Sequence, residues 1–155
     1  MKVGIIGLGL IGGSMAIDLK RKGFAEQILG VESEPVNAAA AEKIGLVDRV
    51  VSLEDCLSQS DVVVLAVPVG MAVRLLPQVL DTFARSGAAD KVVMDVCSTK
   101  EHLARSVKYH PSAGSMSLRI LWPERNTAVI GRRCQACSMG MHASYATARS
   151  HRRRL

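Results

Sequence analysis

Three glycines at G-x-G-x-x-G spacing, Gly7, Gly9 and Gly12, follow directly on an apolar run in KVGIIGLGLIGGS, residues 2–14. Each place makes a demand that glycine meets. Gly7 permits a tight strand-to-helix turn, Gly9 lets the backbone approach a pyrophosphate, and Gly12 lets the next helix lie close to the strand. A diphosphate there would rest on unpaired N–H groups at the positive end of a helix dipole, with no lysine required. Roughly 20 residues further on stands Glu32, where a carboxylate accepts hydrogen bonds from adenosine ribose hydroxyls. The alternative role for Glu32 is only to solvate a strand end. Glu32 and Glu34 would repel a 2′-phosphate, and no lysine or arginine lies between Glu32 and Lys43 to receive one. The pattern therefore points to NAD.

These residues need a scaffold, and the chain alternates buried strands with helices throughout its first 110 residues. Val3, Ile5 and Ile6 form a strand too apolar for a wet face, as in a parallel sheet covered on both sides. Leu10, Ile11, Met15 and Leu19 follow at helical spacing, basic residues crowd the last turn, and Gly23 can stop the helix. A second strand from Ile28 to Val31 ends at Glu32 and completes a βαβ unit. Pro35 suits the first turn of a helix reaching about Lys43, and a short strand near Arg49 to Val51 follows Gly45. Ser52 with Asp55 resembles a capping box for a brief helix. Asp61 leads into VVVLAVPV, a β-branched run ending at Pro68; a helix from about Met71 to Arg85 and a strand from Lys91 to Val96 come next. Ser98 and Glu101 fit the S-x-x-E pattern and open a helix toward Tyr109. This alternation predicts an α/β fold with a doubly wound parallel sheet of the Rossmann type, and a ligand crevice at the carboxyl ends of its strands. Those ends bring together Leu8 to Gly12, Glu32, Val67 to Val69 and Cys97 to Lys100. Singly, Pro68 is explained as a strand terminator and Ser98 as a helix cap. Together they line one crevice.

Three segments resemble the prephenate dehydrogenases of tyrosine biosynthesis: GIIGLGLIGGSMA, DVVVLAVPV ending at Val69, and VMDVCSTKEHL from Val93 to Leu103, which looks like that family's D-x-x-S-x-K segment. The resemblance covers residues 1 to about 110. It implies NAD-dependent oxidative decarboxylation of prephenate to 4-hydroxyphenylpyruvate, an oxidoreductase activity of aromatic amino acid biosynthesis. It places the cofactor on Gly7, Gly9, Leu10, Ile11 and Gly12, its adenosine ribose near Glu32, and its nicotinamide half near Ala66, Val67 and Pro68. Ser98 matches the family's active-site serine, which hydrogen-bonds near the substrate hydroxyl and the catalytic histidine. Lys100 has a counterpart in the motif, although a solvated first-turn lysine explains it equally well. Arogenate dehydrogenase is the alternative enzyme, and a noncatalytic NAD-binding module the alternative of another class.

After His110 the likeness stops. The family continues with a segment like HPMAGTE, carrying the catalytic histidine, and then with a helical domain through which intact members dimerise; neither is legible here, and His102 and His110 do not match the missing position. Composition changes at the same place. Residues 1–110 hold 12 Lys+Arg against 13 Asp+Glu, whereas residues 111–155 hold 8, all arginine, against 1. The segment 111–155 lacks helical or strand periodicity and is expected to be an irregular basic tail that packs poorly. Codons exist for residues 119–130 that, read two bases later, spell HPMAGTEYSGH. Trp122 and Met139, which have single codons, fall where that frame requires. A change of frame between about Tyr109 and Arg119 would explain the tail and leave the chain truncated and catalytically impaired.

Other classes are excluded on simple grounds. Cys134 and Cys137 form C-x-x-C, but the spacing to His142 and His151 is loose, so no metal site is expected. Arg152, Arg153 and Arg154 without interleaved aromatics imply salt-sensitive sticking and no specific nucleic acid partner. The net charge of +6 therefore misleads about partners. No apolar run reaches transmembrane length and no leader is evident, so a cytoplasmic protein with reduced Cys56 and Cys97, no membrane partner and a small-molecule substrate is expected. A hydrophobic content of 48% with only 3% aromatic suits an alanine- and valine-rich parallel sheet.

Overall fold

The computed structural model describes residues 1–87, 91–111, 119–124 and 127–130. In chain order the elements are β1 (Lys2–Ile6), α1 (Leu10–Arg21), β2 (Gln27–Val31), α2 (Pro35–Lys43), β3 (Arg49–Val50), α3 (Leu53–Gln59), β4 (Val62–Leu65), α4 (Val69–Arg85), β5 (Val92–Asp95), α5 (Lys100–Val107), β6 (Arg119–Glu124) and β7 (Thr127–Ile130). The strands form one sheet in the order β3-β2-β1-β4-β5-β6-β7. All neighbours from β3 to β6 are parallel, and β7 is antiparallel to β6.

Side-chain alternation along the strands sorts the core into two layers. Val3 and Ile5 of β1, Ile28 of β2 and Val64 of β4 bury against Ala16 of α1 and Ala41 of α2. Ile6, Leu29, Val63, Leu65 and Val93 point the other way, onto Cys56 and Leu57 of α3, Leu76 and Leu80 of α4, and Leu103 of α5. Helices thus cover both faces, the doubly wound arrangement expected from the runs of Val, Ile and Leu. Each fully buried leucine or valine contributes roughly 1.5–3 kcal/mol through area removed from water.

Register aligns the strand ends. Ile6 pairs with Val31 on one side and Leu65 on the other, and Leu65 pairs with Asp95. The residues that leave these four positions therefore emerge along one edge. The chain winds outward from β1 to β3 and then returns to β4, so the strand order reverses between β1 and β4. That reversal opens a crevice at the carboxyl edge, where α1 begins.

Several boundaries differ from expectation. The run VVVLAVPV forms a strand only over Val62–Leu65, and α4 starts at Val69, two residues earlier than expected, with Pro68 as its N-cap. Proline fixes its own φ and needs no N–H there, which suits a helix start. Ser52 does cap α3, accepting from the Asp55 N–H at 3.1 Å. Ser98 does not cap α5: the helix opens at Lys100, its N-cap is Thr99, and no side chain makes the capping hydrogen bond. The segment 111–155, expected to be irregular, contributes β6 and β7. Ile120, Trp122, Thr127, Val129 and Ile130 supply the β-favouring residues for them.

Candidate nucleotide site

Gly7 follows β1 and adopts φ +93°, a conformation glycine reaches without strain; its N–H donates to the Val31 carbonyl at 2.9 Å. A side chain at Gly7 would also strike the carbonyl oxygen of Ala66, 2.6 Å from the Cβ position. At Gly12, in the first turn of α1, a Cβ would collide with the carbonyl oxygen of Gly7. The helix is therefore seated directly on the turn that precedes it. Gly9 is different. It is the N-cap of α1, and nothing lies within 4 Å of where its Cβ would be. The first turn of α1 contains no acidic residue and receives no side-chain cap, so no side chain of the helix offsets the partial positive charge of its N–H groups.

Glu32 leaves β2 beside this turn. Its Oε2 accepts from the Leu8 N–H at 3.2 Å, and its Oε1 accepts from the Glu34 N–H at 3.2 Å and the Ser33 hydroxyl at 3.4 Å. The Glu34 N–H, ahead of the Leu8 N–H, holds its carboxyl below the ordinary glutamate value against the opposing effect of burial. Glu32 is thus an anion fixed at the tip of β2, toward the glycine turn.

A crevice of about 490 Å³ opens between the turn and the neighbouring strand ends, lined by Gly9, Leu10, Ile11, Ala66, Val67, Pro68, Val69, Val96, Cys97 and Ser98. Of the residues singled out from the sequence, Gly9, Leu10, Ile11, Ala66, Val67, Pro68 and Ser98 line it directly. Gly7, Gly12 and Glu32 are not in its lining; Glu32 is joined to the glycine turn through the Leu8 N–H. One wall is apolar and the other carries two polar side chains. The Cys97 thiol donates to the Val67 carbonyl at 3.7 Å and joins the walls; burial, followed by the Asp95 charge, raises its pKa, so it stays a thiol at neutral pH. Ser98 is exposed and makes no hydrogen bond among the described residues.

Lys100 is not a solvated first-turn lysine. Its Nζ lies 2.5 Å from Oδ1 of Asp95, which is only 3% exposed. From the sequence, Asp95 is only the first position of the D-x-x-S-x-K segment, with no role of its own; its physical signal is an acid ending an apolar strand, followed at the fifth position by a lysine. His102 lies on α5 outside the crevice lining, and His110 pairs with Asp81 of α4 at 3.1 Å, after the far end of α5. Neither approaches the crevice as a base. Among the described residues no group of three or more His, Cys, Asp or Glu could hold a metal ion, and no helix is long and apolar enough to cross a membrane. Cys134, Cys137, His142, His151 and the terminal arginines lie outside the described residues.

Comparison with known proteins follows this geometry. The family described as "Prephenate dehydrogenase, nucleotide-binding domain" matches residues 15–116. A prephenate dehydrogenase of Lactococcus lactis subsp. cremoris (strain MG1363) is 32% identical over 137 residues, which span 81% of this chain and 38% of that protein. The chain thus covers well under half the length of the curated relatives it matches, 32% in the case of the Bacillus subtilis (strain 168) enzyme. Among solved structures, prephenate dehydrogenase from Aquifex aeolicus in complex with hydroxyphenyl propionate and NAD+ gives a TM-score of 0.61 at 26% identity, covering 84% of this chain and 44% of that one. Synechocystis arogenate dehydrogenase gives 0.64 at 27%, covering 83% and 43%. The chain therefore belongs to the family of prephenate dehydrogenase nucleotide-binding domains.

Proposed function

We propose that residues 1–110 are the NAD-binding part of a cytoplasmic prephenate dehydrogenase, and that the segment after His110 replaces, through a change of reading frame, the part that would carry the catalytic histidine and the dimerisation helices. The observation that carries the cofactor assignment is the open cradle over Gly9, bordered by the uncapped N-terminus of α1 and by the Glu32 carboxylate at Leu8. A diphosphate fits the cradle because no Cβ fills it and the first turn of α1 carries no acid. Bound there, NAD would supply a hydride acceptor for oxidation of a ring alcohol.

The chain's own residues do the rest. The N–H groups of Leu10, Ile11 and Gly12 hold the diphosphate, and Gly7 keeps the turn tight enough to present them. Glu32 accepts from the adenosine ribose and rejects a phosphate at the 2′ position by like charge. Ala66, Val67 and Pro68 form a water-poor wall for the nicotinamide half. Ser98 Oγ, spared from helix capping, is left to hydrogen-bond the substrate hydroxyl. Without the histidine base, this chain binds NAD weakly and turns over little substrate.

The similarity to solved prephenate and arogenate dehydrogenases sets the assay. NADH formation is followed with prephenate, with arogenate and with neither, on this chain and on one whose upstream frame is restored. The restored chain should reduce NAD with prephenate. Activity with arogenate alone would reassign the substrate, and activity with neither would reduce the reading to a nucleotide-binding module.

A further inference from the structure

We propose that Asp95 is a positioning residue that fixes the Cys97–Ser98 corner of the crevice, and so the nicotinamide end of the site; this rests on reading the crevice as an NAD site. Asp95 ends β5 level with Leu65 and is 3% exposed. Its Oδ1 accepts from the Cys97 N–H at 2.9 Å and from Lys100 Nζ at 2.5 Å, and the same ammonium reaches the Asp95 carbonyl at 3.5 Å. One carboxylate therefore clasps both ends of the corner, with Ser98 at its apex.

Apart from the Cys97 thiol's contact with the Val67 carbonyl, no other side-chain hydrogen bond braces the corner among the described residues. Ser98 makes no cap, and neither does Thr99, the N-cap of α5. The Cys97 thiol, held through its own N–H by Asp95, in turn reaches the Val67 carbonyl on the opposite wall. The other carboxylate oxygen, Oδ2, is buried with no hydrogen-bond partner among the described residues. A neutral Ser or Asn could brace such a turn at less desolvation cost. The charge instead fixes the ammonium of Lys100, and with it the start of α5, in one place.

Two ligands separate this role from a purely structural one. ADP-ribose carries the adenosine, the diphosphate and the second ribose but lacks the nicotinamide, whereas NADH adds the nicotinamide, whose fluorescence reports its surroundings. Asp95→Asn keeps the shape and an acceptor for the Cys97 N–H but removes the charge. It is expected to leave the ADP-ribose dissociation constant within about twofold, to weaken NADH about tenfold, the size of one charge-assisted hydrogen bond, and to abolish the change in nicotinamide emission on binding. Lys100→Gln, a change at a partly exposed side chain, should act in the same direction and decides the matter if Asp95→Asn does not fold. Equal losses for both ligands, no loss for either, or an unaltered chain whose bound NADH shows no emission change would overturn the role of Asp95. Failure of the unaltered chain to bind ADP-ribose would overturn the nucleotide reading itself, and the role of Asp95 with it.

Discussion

The Glu32 carboxylate accepts a hydrogen bond from the Leu8 backbone N–H at 3.2 Å, joining the tip of β2 to the glycine turn 24 residues earlier. The turn and the acid are thus one unit. Glu32→Gln keeps the acceptor but removes the charge that would repel a 2′-phosphate. NADP should then bind more tightly, by about 1 kcal/mol or roughly fivefold, while NAD changes little. Parallel titrations of the variant with both cofactors measure this, and an unchanged ratio of affinities would count against the electrostatic role.

Acidity tests the same carboxylate. Its pKa lies below the ordinary value of 4.5 because the Glu34 and Leu8 N–H groups favour the anion. A group with a depressed folded pKa contributes stability that is present above its unfolded pKa and is lost as pH falls through the folded one. NAD affinity should accordingly be flat from pH 8 to about 6 and decline only in acid, below the ordinary carboxylate range. A fall in affinity beginning near neutrality would assign the ribose contact to another group.

Two glycine substitutions should part company. Gly9→Ala places a methyl in open space and should leave the thermal midpoint unchanged while lowering NAD affinity at least about tenfold, because the methyl occupies the diphosphate's approach. Gly12→Ala drives a Cβ into the Gly7 carbonyl and should destabilise the fold by about 3 kcal/mol. Thermal unfolding by circular dichroism separates the two. Equal stability losses would mean that the turn differs from the one described.

Two serines give a similar contrast. Ser52→Ala removes the acceptor for the Asp55 N–H and should cost about 1 kcal/mol. Ser98→Ala removes no cap and should cost less than about 0.5 kcal/mol. Urea unfolding measures both, and a cost at Ser98 equal to that at Ser52 would restore its role as a helix cap.

The misassigned cap shows where local patterns stop being informative. S-x-x-E is satisfied at Ser98 and Glu101, yet the N-cap of α5 falls one residue later, at Thr99, because the buried carboxylate of Asp95 and its pairing with Lys100 set the turn from below. That competition is invisible in a four-residue window. The glycine turn was legible because its geometry is set locally, by the positive φ of Gly7 and the seating of Gly12 on the Gly7 carbonyl, and the layers were legible because buried parallel strands leave long apolar runs. Glu32 was legible by its distance from the glycines, but its bond to Leu8 required the register of β1 with β2. Strands β6 and β7 escaped notice because short apolar stretches interrupted by Pro123 carry no period of their own.

Cys97 offers a chemical probe of the crevice. Burial first, and then the Asp95 charge, raise its pKa above 9.0, so alkylation should be slow at neutral pH and accelerate as the medium becomes alkaline. NAD should protect Cys97, which lines the crevice. Peptide-level mass spectrometry gives the rates, and undiminished labelling of Cys97 at saturating NAD would remove it from the nicotinamide wall.

The encoding DNA tests the origin of the tail. Across codons 109–130, the frame reading HPMAGTE should be open and should rejoin the upstream reading on insertion or loss of bases; stop codons in that frame would end the idea.

The central claim is that the turn at Gly7, Gly9 and Gly12, with Glu32 beside it, holds a dinucleotide lacking a 2′-phosphate. Calorimetric titration of the unaltered chain with NAD and with NADP tests it most directly. Binding of NAD at least about tenfold tighter than NADP is the expected result. Equal affinities, or no binding of either, would contradict it.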